Sequence, residues 1–131
     1  MTQRTVLVAE DSPVIRKLIG MCLRGSGATI EEVADGISAV ERATELSPDV
    51  LILDVGLPGK DGWTVLRELR ANPGTAELPI LMLTGHSTDS DRRRAEAIGV
   101  SGFMAKPFQP SELREALEGL VQSDSSVPAQ S

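Results

Sequence analysis

Five short apolar runs recur along the chain, at Thr5–Glu10, Thr29–Val33, Val50–Asp54, Leu78–Thr84 and Gly102–Ala105. Between and after them lie stretches of helical period, at Pro13–Gly25, Ile37–Leu46, Gly62–Ala71, Asp89–Ile98 and Pro110–Gln122. Strands that alternate with helices in this way predict right-handed βαβ units and a parallel sheet covered by helices on both faces. Local signals sit at the junctions. Asp11-Ser12-Pro13 offers a capping side chain followed by a proline suited to a first helical turn. Val14, Leu18 and Cys22 follow at i, i+4 and i+8 as a candidate core-facing stripe, and Gly25 and Gly27 then stop the helix. Asp35-Gly36, Ser47-Pro48, Asp61-Gly62 and Asn72-Pro73-Gly74 punctuate the other boundaries.

The strands are not alike. Val50-Leu51-Ile52-Leu53 and Ile80-Leu81-Met82-Leu83 are continuously apolar, as strands covered on both faces require. Thr29-Ile30-Glu31-Glu32-Val33 carries two adjacent charges and suits an edge. With that second strand outermost beside the first, the sheet takes the doubly wound α/β order 2-1-3-4-5. One domain is predicted over residues 1–123, and the polar, serine-rich residues 124–131 read as a disordered tail or the stub of a linker.

Composition narrows the function. A chain of 131 residues with 40% apolar content supports a hydrophobic core and excludes wholesale disorder. Trp63, Phe103 and Phe108 are the only aromatics, so that core is aliphatic. Thirteen basic against nineteen acidic side chains leave a net charge of −6, which repels phosphate backbones and argues against direct binding of nucleic acid. Cys22 is alone, so no intrachain disulfide forms and a reducing compartment fits. Neither a signal-peptide core nor a membrane-spanning apolar run is present, and a cytoplasmic location without membrane insertion is expected.

Ligands of open α/β sheets bind beyond the carboxyl ends of the strands, where strand order reverses. The first strand ends in Glu10-Asp11, the third in Asp54, the fourth in Thr84 and the fifth in Lys106-Pro107. Two unit charges ~5 Å apart at an effective dielectric of ~20 oppose each other by roughly 3 kcal/mol. The carboxylates of Glu10, Asp11 and Asp54 therefore need compensation. Lys106 supplies one positive charge, and a hard divalent cation such as Mg2+ suits the remainder. A flavin or dinucleotide needs a glycine-rich turn after the first strand, where this chain has Glu10-Asp11-Ser12-Pro13. An aspartate beside a divalent cation and a lysine is placed to attack a phosphoryl group, with the Thr84 hydroxyl as a donor to its oxygens.

Glu10-Asp11, the segment from Asp54 to Gly62, Thr84-Gly85 and Lys106-Pro107-Phe108 together resemble the signature of response-regulator receiver domains, with their flavodoxin-like (βα)5 fold. The resemblance extends over roughly residues 5–122. It implies that Asp54 is the phosphoacceptor, taking its group from a sensor histidine kinase or a histidine phosphotransfer protein. It also implies that Asp11, Asp54 and the Gly56 carbonyl ligate Mg2+, with Glu10 acting through a coordinated water. Lys106 would pair with the phosphoryl group, and Lys106-Pro107 would be a cis peptide. Thr84 and Phe103 would form a switch, and the surface of the fourth helix, fifth strand and fifth helix would meet a downstream protein. Gly56, often a larger residue in the family, and His86, a variable position, would flank the phosphoryl group and modulate its lifetime. Gly85 stands where alanine is commoner, and Phe103 where many members have tyrosine.

Plainer readings stand beside these. Cys22 reads as packing, Trp63 as a cover over apolar surface, His86 as a solvent-facing loop residue, and Arg92-Arg93-Arg94 as a solvated helix face. A stand-alone signalling receiver is the expectation, ahead of a receiver cut from a larger effector protein. A Mg2+-dependent phosphohydrolase working through an aspartyl phosphate would need a substrate-holding cap, for which no insertion is long enough. A constitutive binding module would not need the complete acidic, hydroxyl and lysine set.

Overall fold

The computed structural model describes residues 4–85 and 88–126, with side chains described as far as residue 120. Its elements are β1 (Thr5–Ala9), α1 (Pro13–Cys22), β2 (Thr29–Val33), α2 (Gly36–Leu46), β3 (Val50–Asp54), α3 (Gly62–Ala71), β4 (Ile80–Thr84), α4 (Asp89–Ile98), β5 (Gly102–Ala105) and α5 (Pro110–Ser126). All neighbouring strands are parallel, in the order β2-β1-β3-β4-β5. This is the flavodoxin-like α/β arrangement expected from the alternating pattern.

Side chains alternate across the sheet with a period of two, and this divides the core. Leu7, Ala9, Leu51, Leu53, Ile80 and Met82 face one side, where Ala39 and Ala43 of α2, Leu66 and Leu69 of α3 and Ala95 of α4 meet them. Val6, Val8, Val50, Ile52, Leu81 and Leu83 face the other, against Ile19 of α1 and Leu113 and Leu117 of α5. Every residue of β3 and β4 is buried, whereas β2 at one edge and β5 at the other are partly exposed.

The caps follow the sequence signals. Ser12, Asp35, Asp61 and Thr88 each accept a hydrogen bond from a backbone N–H in the first turn of α1, α2, α3 and α4. Gly99, at φ 107°, closes α4 in the left-handed conformation. Two expectations need correction on α1. The helix ends at Cys22: the Leu23 N–H is shared between the Ile19 and Gly20 carbonyls, the Arg24 N–H reaches back only three residues to the Met21 carbonyl, and the chain then runs into left-handed Gly25 at φ 87°. The core-facing stripe is Ile15, Leu18, Ile19 and Cys22, whereas Val14 is 75% exposed. Steps of four residues drift round a helix of 3.6 residues per turn, and the first step was anchored one residue too early. Pro79 does not join β4, which begins at Ile80, but its carbonyl still accepts the Leu51 N–H at 2.9 Å. At the other end of the chain α5 continues to Ser126, past Gln122.

Candidate functional site

Register assembles the site. Ala9 pairs with Leu53, so the next residues, Glu10 and Asp54, stand level at the carboxyl edge of adjacent strands. Asp54 pairs with Leu83 and Thr84 with Ala105, which brings Thr84 and Lys106 to the same rim. Glu10 (1% exposed), Asp54 (5%) and Thr84 (4%) are the buried polar groups of that rim, while Asp11 is exposed at its mouth.

Lys106 holds the acidic residues together. Its Nζ lies 2.8 Å from Asp54 Oδ1 and 2.9 Å from Glu10 Oε1. Burial pulls the ammonium toward the neutral form, but the hydrogen bonds and charges of Asp54 and Glu10 outweigh it and keep its pKa above the usual lysine value. Burial pushes the Glu10 carboxyl above the ordinary carboxylate range, against the opposing pull of Lys106 and of the Ser12 N–H, which reaches Oε2 at 3.1 Å. The Lys106 N–H bonds to the Thr84 carbonyl at 2.7 Å, and the Lys106-Pro107 bond is cis, as the resemblance implied.

The donor set suits a hard cation. One carboxylate oxygen from each of Glu10, Asp11 and Asp54 lies within 4.8 Å of the other two. Glu10 Oε1 is fully buried and faces the Lys106 ammonium at 2.9 Å. Such an atom wants a cation or a cation-bound water. A Cβ built at Gly56 would stand 3.8 Å from Asp54 Oδ2, so the position leaves that oxygen open.

Phe103 lies on β5, half-buried against the core, with the Arg92 guanidinium 5.4 Å from its ring centroid. His86 lies outside the described residues. Away from the site, a cleft of about 440 Å3 opens at the opposite end of the sheet, lined by Val6, Leu23, Val50 and Leu117. Convergent charge marks the chemistry here, and cavity volume does not.

Two kinds of supporting residue escaped the sequence reading. Arg16 donates from NH1 to the Glu10 carbonyl at 2.7 Å, and its Nε lies 3.4 Å from Glu32 of β2, so it ties down the strand end that bears the acidic pair. The adjacent glutamates of β2 were a signal, since a charged edge strand calls for basic partners on its covering helix. Gly36 and Gly62 were seen only as punctuation. A Cβ at Gly36 would collide with the Lys60 carbonyl, and one at Gly62 would come 2.5 Å from the Asp54 carbonyl. The two Asp-Gly pairs thus let α2 and α3 close onto the loop that follows Asp54.

Comparison with known proteins agrees with this geometry. The response regulator receiver domain family matches residues 6–118. The transcriptional regulatory protein TcrX of Mycobacterium tuberculosis is 40% identical over 119 residues, covering 90% of this chain and 50% of that one. The chemotaxis response regulator CheY4 of Vibrio cholerae superposes with a TM-score of 0.84 at 32% identity, covering 91% of this chain and 99% of that one. The receiver domain of the sensor histidine kinase PA1611 of Pseudomonas aeruginosa, with a magnesium ion coordinated in its active-site cleft, gives 0.83 at 34% identity, covering 92% and 98%. The chain spans about half the length of the curated relatives it matches, some of which are named as DNA-binding regulators. This chain belongs to the response regulator receiver domain family of two-component signalling.

Proposed function

We propose that Asp54 accepts a phosphoryl group from a phosphohistidine on a sensor kinase or phosphotransfer protein. The observation that carries this reading is the Lys106 ammonium held 2.8 Å from a buried Asp54 carboxylate in a rim of three acidic side chains. In the transfer the P–N bond breaks with its electron pair left on the imidazole, and a P–O bond forms to Asp54, giving an acyl phosphate. Lys106 then turns its charge to the phosphoryl oxygens, and the Thr84 hydroxyl donates to one of them. Asp11, Asp54 and the Gly56 carbonyl would hold Mg2+, with Glu10 acting through a bound water. When bound, the ion supplies the positive charge that lets an anionic donor approach an acidic pocket.

The chain catalyses only its own phosphorylation and dephosphorylation. The acyl phosphate biases two packings of β4, β5 and their helices, with Thr84 and Phe103 as the moving parts, and the α4-β5-α5 surface meets the downstream protein. Gly56 flanks the phosphoryl group and tunes its lifetime, a part that the family resemblance also gives to His86. The unit that does this extends through α5 to Ser126, beyond the boundary at residue 123 expected from the sequence, whether or not an output domain accompanies it. The DNA binding named for some relatives belongs to proteins about twice as long, and the net charge of −6 keeps this chain's own surface unsuited to nucleic acid. Among the described residues no helix is long and apolar enough to cross a membrane, and we place the domain in the cytoplasm.

Incubation with Mg2+ and acetyl phosphate, read by intact mass, tests the proposal. One acid-stable, base-labile phosphoryl group per chain is expected, absent from Asp54→Ala. No adduct, or one that survives that substitution, would overturn it. Multiple turnover of added phosphomonoesters would favour a hydrolase instead.

A further inference from the structure

The arginine run of α4 is exposed, yet two of its three guanidinium groups lie over aromatic rings. Arg94 Cζ is 4.3 Å from the centroid of the Trp63 ring, and Arg92 Cζ is 5.4 Å from that of Phe103. Flat guanidinium groups stack on aromatic faces in a way that an ammonium does not reproduce. At the other end of the helix Arg70 of α3 donates from Nε to the Gly99 carbonyl at 2.9 Å. Ala95 is the only fully buried residue of α4. The helix is therefore docked on α3 by two arginines, one from each partner, more than by apolar packing.

Trp63 leads from this contact to the phosphoacceptor. It is buried and opens α3 directly after Gly62, whose N–H bonds to the Val55 carbonyl at 2.8 Å. The absent Cβ of Gly62 lets this turn lie against the Asp54 carbonyl with no slack. Asp61, the cap of the same helix, is held below the usual carboxylate range by the Thr64 N–H and further by the charges of Arg67 and Arg94. Arg94 thus faces both the ring and the capping charge of the turn that follows the site loop.

We propose that Arg94 is a positioning residue that, through its stack on Trp63, couples the placement of α4 to the placement of the loop bearing Asp54 and Gly56. The inference rests on the phosphoacceptor reading above. Coupling is reciprocal: a group loaded on Asp54 shifts α4, and whatever holds α4 shifts the readiness of Asp54 to be loaded.

Trp63 is the only tryptophan, so its emission reports the contact. Wild type, Arg94→Ala, Arg94→Lys and Arg93→Ala would be titrated with Mg2+ and acetyl phosphate, following emission and the acyl phosphate by intact mass. Arg94→Ala is expected to label on Asp54 with a half-saturating phosphodonor concentration changed about two- to fivefold, the range a surface cation–ring contact supports. Its ligand-induced emission change should be smaller than that of wild type. Arg94→Lys should fall between the two. Arg93→Ala, which removes the same charge with no ring beneath it among the described residues, should match wild type. Equal titrations for wild type and Arg94→Ala, or equal shifts in Arg93→Ala and Arg94→Ala, overturn the inference while a labelled Asp54 leaves the phosphoacceptor reading standing. No label on wild-type Asp54 overturns both.

Discussion

Helix α4 is held by different forces from α1 and α5, which cover the opposite face of the sheet. On one side α1 and α5 bury Ile19, Cys22, Leu113 and Leu117 against Val6, Val8, Ile52 and Leu83. On the other, α4 buries only Ala95 and is tethered through Arg94 on Trp63, Arg92 on Phe103 and the Gly99 carbonyl on Arg70. Interlocked aliphatic packing resists displacement, because each truncated side chain costs about 2–5 kcal/mol. Exposed cation–ring contacts contribute about 0.5–1 kcal/mol each and tolerate sliding. Of the two helices proposed for the output surface, α4 is therefore the one that moves at low cost, as elements drawn from the less stable end of a fold do.

Truncation on each flank tests this most strongly. Leu113→Ala, at a fully buried position, should lose about 2–5 kcal/mol in urea unfolding. Ile98→Ala removes the largest apolar residue on the inner face of α4, but the site is only half-buried, and the loss should stay below about 1.5 kcal/mol. Equal losses would remove the distinction between α4 and the helices across the sheet.

That distinction was half visible in the sequence. The continuous apolar runs of β3 and β4 can only be central strands, and the adjacent charges of β2 can only be an edge, so strand order was legible. The rim was legible too, because Glu10, Asp11, Asp54, Thr84 and Lys106 stand at strand ends, where topology alone brings them together. Tertiary contacts between polar side chains were not. Arg92 and Arg94 look like any solvated arginines until α3 and β5 place rings beneath them. Val14 was misread because an i, i+4, i+8 pattern fits two neighbouring faces of a short helix, and only the docked sheet chooses between them.

Between the flanks lies the rim, whose strength is electrostatic and so depends on pH. The folded chain raises the Glu10 pKa, so it keeps that proton at a pH where the unfolded chain has lost it. The resulting stabilisation is present below the ordinary carboxyl value and is lost as pH rises through the raised one. Lys106→Ala leaves Glu10 without its cation. The substitution should cost about 2–3 kcal/mol at pH 8, somewhat under the range for a fully buried pair because the lysine is partly exposed. At pH 5 the cost should be smaller, since Glu10 is then closer to its neutral form. The Leu113→Ala loss should be the same at both pH values. A Lys106→Ala loss independent of pH would mean that burial of Glu10 is not what the lysine offsets.

The smallest expected effect concerns the tether on the far side of α4. Phe103 has no hydroxyl, so no hydrogen bond can fix its ring, and among the described residues Arg92 is the one charged group over its face. The separation of 5.4 Å is longer than the 4.3 Å of the Arg94 pair, so the contact belongs at the weak end of its class. A double-mutant cycle of Arg92→Ala and Phe103→Leu should give a coupling of about 0.5 kcal/mol, near the smallest that such cycles resolve. Hydrogen exchange sharpens the reading: Arg92→Ala should speed exchange of α4 amides while leaving those of α1 and α5 unchanged. If the cycle is additive and α4 exchanges as in wild type, β5 does not hold this helix, and its placement rests on α3 alone.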